Sequence, residues 1–226
     1  MNHATVLSSR DMESPLDLHS VRVLGSLIEK EGTTPDSYPL TLNALTAACN
    51  QTSNRDPVLQ MDESTVAEAL DDLSRRQLAR GALRSDSRVP RYRHLLAETL
   101  SLHQAEIAVL GVLMLRGPQT VGEIRTRTAR LFEFPDLARV ELTLQSLATL
   151  SEPLVIQLPR QPGQKDVRYA HLLSGEPQVE AASTVSRPAA ASGASRIDTL
   201  ERQVASLETE LGDLRSQFEE FRRSFQ

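Results

Sequence analysis

The stretch RGALRSDSRVPRYR, residues 80–93, carries five arginines, Arg80, Arg84, Arg88, Arg91 and Arg93, against the single carboxylate of Asp86. Guanidiniums at that density suit one chemistry above others. They hold phosphate oxygens through paired N–H donors and displace condensed counterions, and they do so without reading base sequence. A second basic group, Arg125, Arg127 and Arg130, lies in EIRTRTAR, and Arg160, Lys165 and Arg168 follow near a second turn signal. Arg80, Arg84, Arg88, Arg91, Arg93, Arg125, Arg127, Arg130 and Lys165 are the candidate nucleic-acid contacts; the alternative for the first group is an ordinary solvated hairpin. Catalysis has no comparable cluster. There is no phosphate-cradling Gly-Lys loop, dinucleotide-binding glycine run or nucleophile elbow. His103-Gln104-Ala105-Glu106 lacks the spacing of a zinc protease, and His94 and His171 stand far from any cysteine. The expectation is a protein that is not an enzyme and uses neither cofactor nor metal. Cys49, the single cysteine, falls on an apolar helical face and reads as a buried core thiol.

These residues sit on a unit written twice. Val23-Leu24-Gly25-Ser26-Leu27 returns as Val109-Leu110-Gly111-Val112-Leu113, and Arg91-Tyr92-Arg93-His94-Leu95-Leu96 returns as Arg168-Tyr169-Ala170-His171-Leu172-Leu173. Each copy predicts three helices and a hairpin. In copy one, Val21, Leu24, Leu27 and Ile28 stripe the first helix, Thr41 caps the second, and Asp62 caps a third whose core face is Val66, Leu70 and Leu73. Residues 81–93 then read as a short hairpin. In copy two, Ile107, Leu110, Leu113 and Met114 line the first helix, and Thr120-Val121-Gly122-Glu123 is a capping box opening the second. There Val121, Ile124, Thr128 and Leu131 are expected inward. Asp136 caps the third helix, with Leu137, Val140, Leu144 and Leu147 inward, and Leu154, Ile156 and Leu158 alternate as a strand. Helix, helix, helix, hairpin is the winged-helix order. The expected fold is mostly α with small β-hairpins (α+β): tandem winged-helix domains plus a C-terminal coiled coil.

The tail is a separate object. Residues 174–195 are small and polar without period, the composition of a flexible linker. Ile197, Leu200, Val204, Leu207, Leu211, Leu214, Phe218 and Phe221 then alternate spacings of three and four, with β-branched residues at a and leucine at d. That pattern predicts a dimerising coiled coil over 196–226. The domain plan is therefore a disordered N-terminus at 1–15, winged helices at 16–98 and 99–173, a linker at 174–195 and the coiled coil. The short connection 95–103 leaves open how the two domains pack. The N-terminus has no apolar signal region and no run is long enough to span a membrane, so a cytoplasmic homodimer without membrane contact is expected.

Net charge weighs against nucleic acid. The chain is −5 overall, with residues 1–100 at −3 and residues 101–174 at +1. The helix that would enter a groove in copy one opens with Asp62, Glu63 and Glu68, followed by Asp71 and Asp72, and repels phosphate. Double-stranded DNA is thus one expected partner. The rival is a protein partner, bound by an adaptor through that acidic helix or the turn after the second helix.

That turn, Asn50-Gln51-Thr52-Ser53-Asn54-Arg55-Asp56-Pro57, is polar where the helices around it are not. Asn and Asp side chains bond nearby backbone and proline blocks further helix, so a structural turn is sufficient. Asn50, Gln51, Asn54, Arg55 and Asp56 could equally form a polar docking surface. RVLGSLIEKEGTTPDSYPLTLNALTAACNQTSNRDPV, with GPQTVGEIRTRTARLFEF and RYAHLL, resembles the YceH family of bacterial proteins over residues 16–173. The resemblance implies a tandem winged-helix fold and, through that fold alone, a DNA-related role. The family's signature segment usually has Lys where this chain has Thr52, which weakens a phosphate-binding role for the turn.

Overall fold

The computed structural model describes residues 14–82, 89–160 and 166–177. It is a mixed α+β structure with seven helices and two small antiparallel sheets among those residues. Copy one runs α1 (Leu18–Thr33), a 3-10 turn (Pro35–Ser37), β1 (Leu40–Thr41), α2 (Leu42–Cys49), α3 (Glu63–Arg75), β2 (Ala79–Ala82) and β3 (Arg91–His94). A one-turn helix α4 (Leu96–Thr99) occupies the connection, and copy two follows as α5 (Gln104–Arg116), α6 (Val121–Thr128), α7 (Leu137–Ala148), β4 (Val155–Gln157) and β5 (Tyr169–His171). No helix among the described residues is long and apolar enough to cross a membrane. Residues 1–13 of the expected disordered N-terminus, residues 178–195 of the expected linker, the expected coiled coil over 196–226, and Arg84, Arg88 and Lys165 lie outside the described residues.

Local chemistry sets the helix starts. Thr41 Oγ1 accepts from the Ala44 N–H, Asp62 Oδ1 from Thr65 and Asp136 Oδ1 from Arg139, each satisfying a donor the helix itself cannot. Thr120 and Glu123 form the reciprocal box expected of them, at 3.2 and 2.9 Å. A threonine cap of this kind is worth about 1 kcal/mol. Hydrogen bonds from the Thr65 hydroxyl, the Thr65 N–H and the Ser64 hydroxyl hold the Asp62 carboxyl down at about 2.

The sheets are built on the same plan in both halves. β3 is the centre of a β1-β3-β2 sheet, pairing Leu40 with Tyr92 on one side and Arg80 with Arg93 on the other. In copy two, β4 pairs with β5, and an isolated bridge from Gln119 to Tyr169 stands where β1 stands in copy one. Leu40 of β1 and Gln119 of the bridge each immediately precede the threonine that caps the next helix. Two residues are too few to show alternation, which is why β1 is not visible in the sequence.

Two expected positions need correction. Leu137 is 46 % exposed rather than inward, because it directly follows the Asp136 cap at the rim of α7. The strand in copy two is shorter than the 154–158 alternation implies. Leu154 and Val155 are both buried in succession, Leu154 closing off the end of α7 through its N–H to Leu147 O.

The main departure lies in the first helix of each copy. A single stripe would leave one face to solvent, yet residues 20–28 of α1 and 105–115 of α5 are buried without a break. A helix buried on every side belongs at the centre of a structure. α1 and α5 pack against each other, forming a seam between the copies. Gly25 of α1 lies against Leu115 and Met114, and Gly111 of α5 against Ile28. Gly25 and Gly111 are equivalent in the repeat, as are Ile28 and Met114, both pairs 86 residues apart. The repeated Val-Leu-Gly motif is therefore the point where the copies cross, related by a local pseudo-two-fold.

Candidate nucleic-acid interface and the 50–57 loop

Register decides which way the hairpin arginines point. Directly opposed residues of an antiparallel pair share a face, and alternate residues along a strand share it too. Arg80 opposes Arg93 and Ala82 opposes Arg91, so three arginines lie on one side of β2–β3. The other side carries Ala79, Gly81, Tyr92 and His94, of which Ala79 and His94 are buried in the core. Arg80 is exposed and has no carboxylate partner among the described residues. Arg93 Nη1 donates to Glu98 at 2.6 Å in a half-exposed ion pair, and Arg91 Nη1 donates to Pro39 O at 2.9 Å. The Arg80 and Arg93 side chains border an open groove of about 650 Å³ with Ser74, Gln77 and Glu98. Like charges directly across a ladder are unfavourable on their own. Glu98 offsets the charge of Arg93 and leaves that of Arg80 to solvent.

Copy two is less open. Arg125 spends its guanidinium on the carbonyls of Phe134 and Pro135, bracing the turn before α7. Arg127 and Arg168 each lie 3.3 Å from Glu123, and Arg168 also donates to Pro118 O. Arg130 is exposed, with no carboxylate partner among the described residues.

The 50–57 loop is tied inward from both ends. The Asn50 side chain donates to Met61 O at 2.7 Å and accepts from Met61 N at 2.8 Å, closing the loop as a backbone pair would. Arg55 has a fully buried side chain whose Nη1 and Nη2 grip both oxygens of Glu29 on α1, at 3.1 and 2.6 Å. Its remaining donors go to Ala48 O, Asn54 O and Gln51 Oε1. Arg22, also buried, donates from α1 to Cys49 O and Pro57 O. The last carbonyls of a helix have no partner within it. Two buried guanidiniums supply those partners for α2, at the end where positive charge is favoured. The loop then crosses the seam: Asp56 N donates to Leu115 O at 2.8 Å, and the Arg116 guanidinium to Asn54 Oδ1. Asn54 holds φ 62°, a left-handed conformation asparagine tolerates. The polar stretch after α2 is thus a helix C-cap that also ties the two copies together. Among the docking candidates, Arg55 has no surface to offer and Asn50 is half-buried, whereas Asn54 and Asp56 remain exposed.

Sequence reasoning missed Arg22, Glu29 and Arg116. The signal for Arg22 was present: a lone charge inside VRVLGSL, where the flanking residues are apolar on both faces.

The two histidines at equivalent hairpin positions differ in company. His94 Nε2 lies 2.7 Å from Glu31 Oε2, and the His94 backbone N–H donates to the Tyr38 hydroxyl. His171 has no partner for Nδ1 among the described residues, and burial pushes its pKa from 6.5 down to about 4. An imidazole that resists protonation when folded takes its proton more readily when unfolded. Its contribution is complete above about pH 6.5 and declines as pH falls toward about 4. Urea midpoints of a His171→Phe variant should therefore fall less between pH 7 and pH 4.5 than those of the parent chain; an identical pH slope would show that His171 is hydrated. Cys49 is buried too, and loss of solvation raises its thiol to about 11, which keeps it protonated and unreactive.

These features define an α+β protein of two repeated helix-and-hairpin units, fused through a helical seam and bearing a basic hairpin. The chain belongs to the family described as "Protein of unknown function, DUF480", whose profile matches residues 16–164. It is 53 % identical over 220 residues to a UPF0502 protein of Geobacter sulfurreducens, covering 95 % of this chain and 100 % of that one. A UPF0502 protein of Geotalea daltonii is 58 % identical over 171 residues, 75 % of this chain and 78 % of the relative. One from Herminiimonas arsenicoxydans is 46 % identical over 231 residues, with 99 % and 98 % covered. The family resemblance seen in the sequence is borne out.

Proposed function

We propose that each repeat is a winged helix and that the chain is a non-enzymatic, cytoplasmic DNA-binding protein with a regulatory role. The observation that carries this reading is the placement of Arg80 directly opposite Arg93, with Arg91 beside them, on the outer face of β2–β3. A duplex backbone laid across that face relieves their mutual repulsion and releases counterions. Arg84 and Arg88, the other arginines of the 80–93 stretch, and Arg125, Arg127, Arg130 and Lys165 of copy two are the further phosphate contacts of this reading. Dimerisation through Ile197, Leu200, Val204, Leu207, Leu211, Leu214, Phe218 and Phe221 places two weak sites on one duplex and raises their joint affinity.

The test is fluorescence anisotropy with a mixed-sequence duplex at about 50 and 200 mM salt. The parent chain should bind more weakly at the higher salt. An Arg80/Arg84/Arg88/Arg93→Ala variant, which leaves Arg91 to hold Pro39, should bind at least ~10-fold more weakly, with a salt slope smaller by roughly 3–4. Absence of binding even at the lower salt would sink the proposal. A second reading, a protein-binding adaptor, is favoured by two features: the exposed acidic face of α3, with Glu63, Glu68 and Asp71, and the exposed Leu137 and Leu142 on α7. It predicts partner capture that deletion of 196–226 leaves intact, whereas bivalent DNA binding falls steeply with that deletion.

A further inference from the structure

One concave feature lies away from the hairpin face. At the seam, beside the 50–57 loop, a cleft of about 280 Å³ is lined by Glu29 of α1, Asn54, Gly111 and Arg116 of α5, and Arg127 and Arg130 around α6. Three guanidiniums thus line one half-enclosed space with a single carboxylate. That carboxylate is already engaged, because Glu29 is held bidentately by Arg55 and has Lys30 at 3.7 Å. Arg127 shares Glu123 with Arg168, so one acidic group serves two cations. Arg116 and Arg130 have no carboxylate partner among the described residues. Among the described residues the Arg116 guanidinium has Asn54 as its hydrogen-bond partner, and partial burial first, then the neighbouring Arg127 charge, lowers its basicity against the opposing pull of Glu29.

We propose that this seam cleft binds a small phosphate-bearing anion, with Arg116, Arg127 and Arg130 as its ligands. Guanidinium forks match the oxygen spacing of a phosphate, and three of them around one concavity suit a dianion better than a single carboxylate. A duplex does not enter a space of this size, whereas inorganic phosphate or the head of a phosphate monoester does. Since loop, α1, α5 and α6 all contribute, an anion there braces both copies at once. The site takes Arg127 and Arg130 from the copy-two patch of the DNA reading and leaves copy one's hairpin as the duplex contact.

The experiment uses the full chain without DNA. Thermal unfolding and isothermal titration are run with inorganic phosphate, with a sugar phosphate and with citrate, each against chloride at matched ionic strength. A ligand at about ten times its Kd should raise the midpoint by about 3 °C or more, because it binds only the folded chain. Arg130→Ala, which removes an exposed side chain and should fold normally, is expected to weaken phosphate binding at least ~10-fold, and Arg116→Ala likewise. Arg160→Ala, away from the cleft lining, should change nothing. Equal affinity for phosphate and sugar phosphate identifies the free anion as ligand, and tighter binding of the ester identifies a metabolite; both support the site. Shifts no larger than chloride gives, binding by citrate alone, or phosphate binding unchanged in Arg130→Ala would overturn it. Because no duplex is present, none of these results bears on the hairpin.

Discussion

Replacing Arg55 with alanine is expected to cost about 3–5 kcal/mol, a large share of what holds a domain of this size together. The guanidinium has no exposed surface, and its donors are occupied by both Glu29 oxygens, three loop and helix-end acceptors and nothing from solvent. Removing it leaves Glu29 largely buried with only Lys30 at 3.7 Å, and leaves Ala48 O without a partner. Arg55→Lys should recover little, since one ammonium cannot span the carboxylate and the α2 carbonyl together. Glu29→Gln should be milder than Arg55→Ala, because the amide oxygen still accepts. The Arg55→Met/Glu29→Met pair is the informative control: with no charge stranded, it should lose much less than the two single changes together. Urea unfolding followed by circular dichroism gives each value. An Arg55→Ala loss below about 1 kcal/mol would mean that water already screens the pair.

That expectation marks where sequence logic stopped short. Alternation and period found the helices, and cap chemistry found the starts of α2, α3, α6 and α7 residue by residue, because an N-cap is a local interaction readable within four positions. The hairpin pairing of β2 with β3 was legible for the same reason. Arg55 was not, since its partner Glu29 lies 26 positions away and nothing local distinguishes a buried arginine from an exposed one in a polar turn. The seam was legible in part. AEIAVLGVLML is too apolar to have one wet face, and that continuity, rather than the stripe within it, was the sign of a helix buried all round. Of the candidate site, the crowding of arginines was visible in the sequence; their separation into a hairpin face and a seam cleft depends on contacts between copies.

The seam itself supplies the second large effect, through the paired change Gly25→Ala/Gly111→Ala. By helix propensity alone, each substitution should stabilise by about 1 kcal/mol, because alanine is the better helix former. Packing predicts the opposite sign. A Cβ on Gly111 would sit 2.8 Å from Ile28 Cγ2, and one on Gly25 would sit 2.9 Å from Leu115 Cγ. Carbon atoms in contact prefer about 3.5–4.0 Å, so α1 and α5 must move apart at both crossing points. Overpacking of this kind costs about 1–3 kcal/mol per site, and the pair should lose more than either change alone but less than the additive limit of about 6 kcal/mol. The equivalent residues face each other's neighbours, so the two costs are coupled: once one glycine has forced the helices apart, the second should cost less. Ile28→Ala offers the reciprocal test. Alone it opens a cavity costing about 2–5 kcal/mol, but combined with Gly111→Ala the new methyl enters the space vacated. The double variant should then be more stable than Ile28→Ala alone, by up to about 1 kcal/mol from helix propensity and more from the cavity filled. Stabilisation by Gly111→Ala in the parent background would show that the helices do not cross closely there. Destabilisation, rescued by trimming Ile28, would establish that the repeated glycines hold two copies of one unit in a fixed orientation. A fixed orientation is also what the seam cleft requires, since Gly111 and Arg116 line it from one helix and Glu29 from the other.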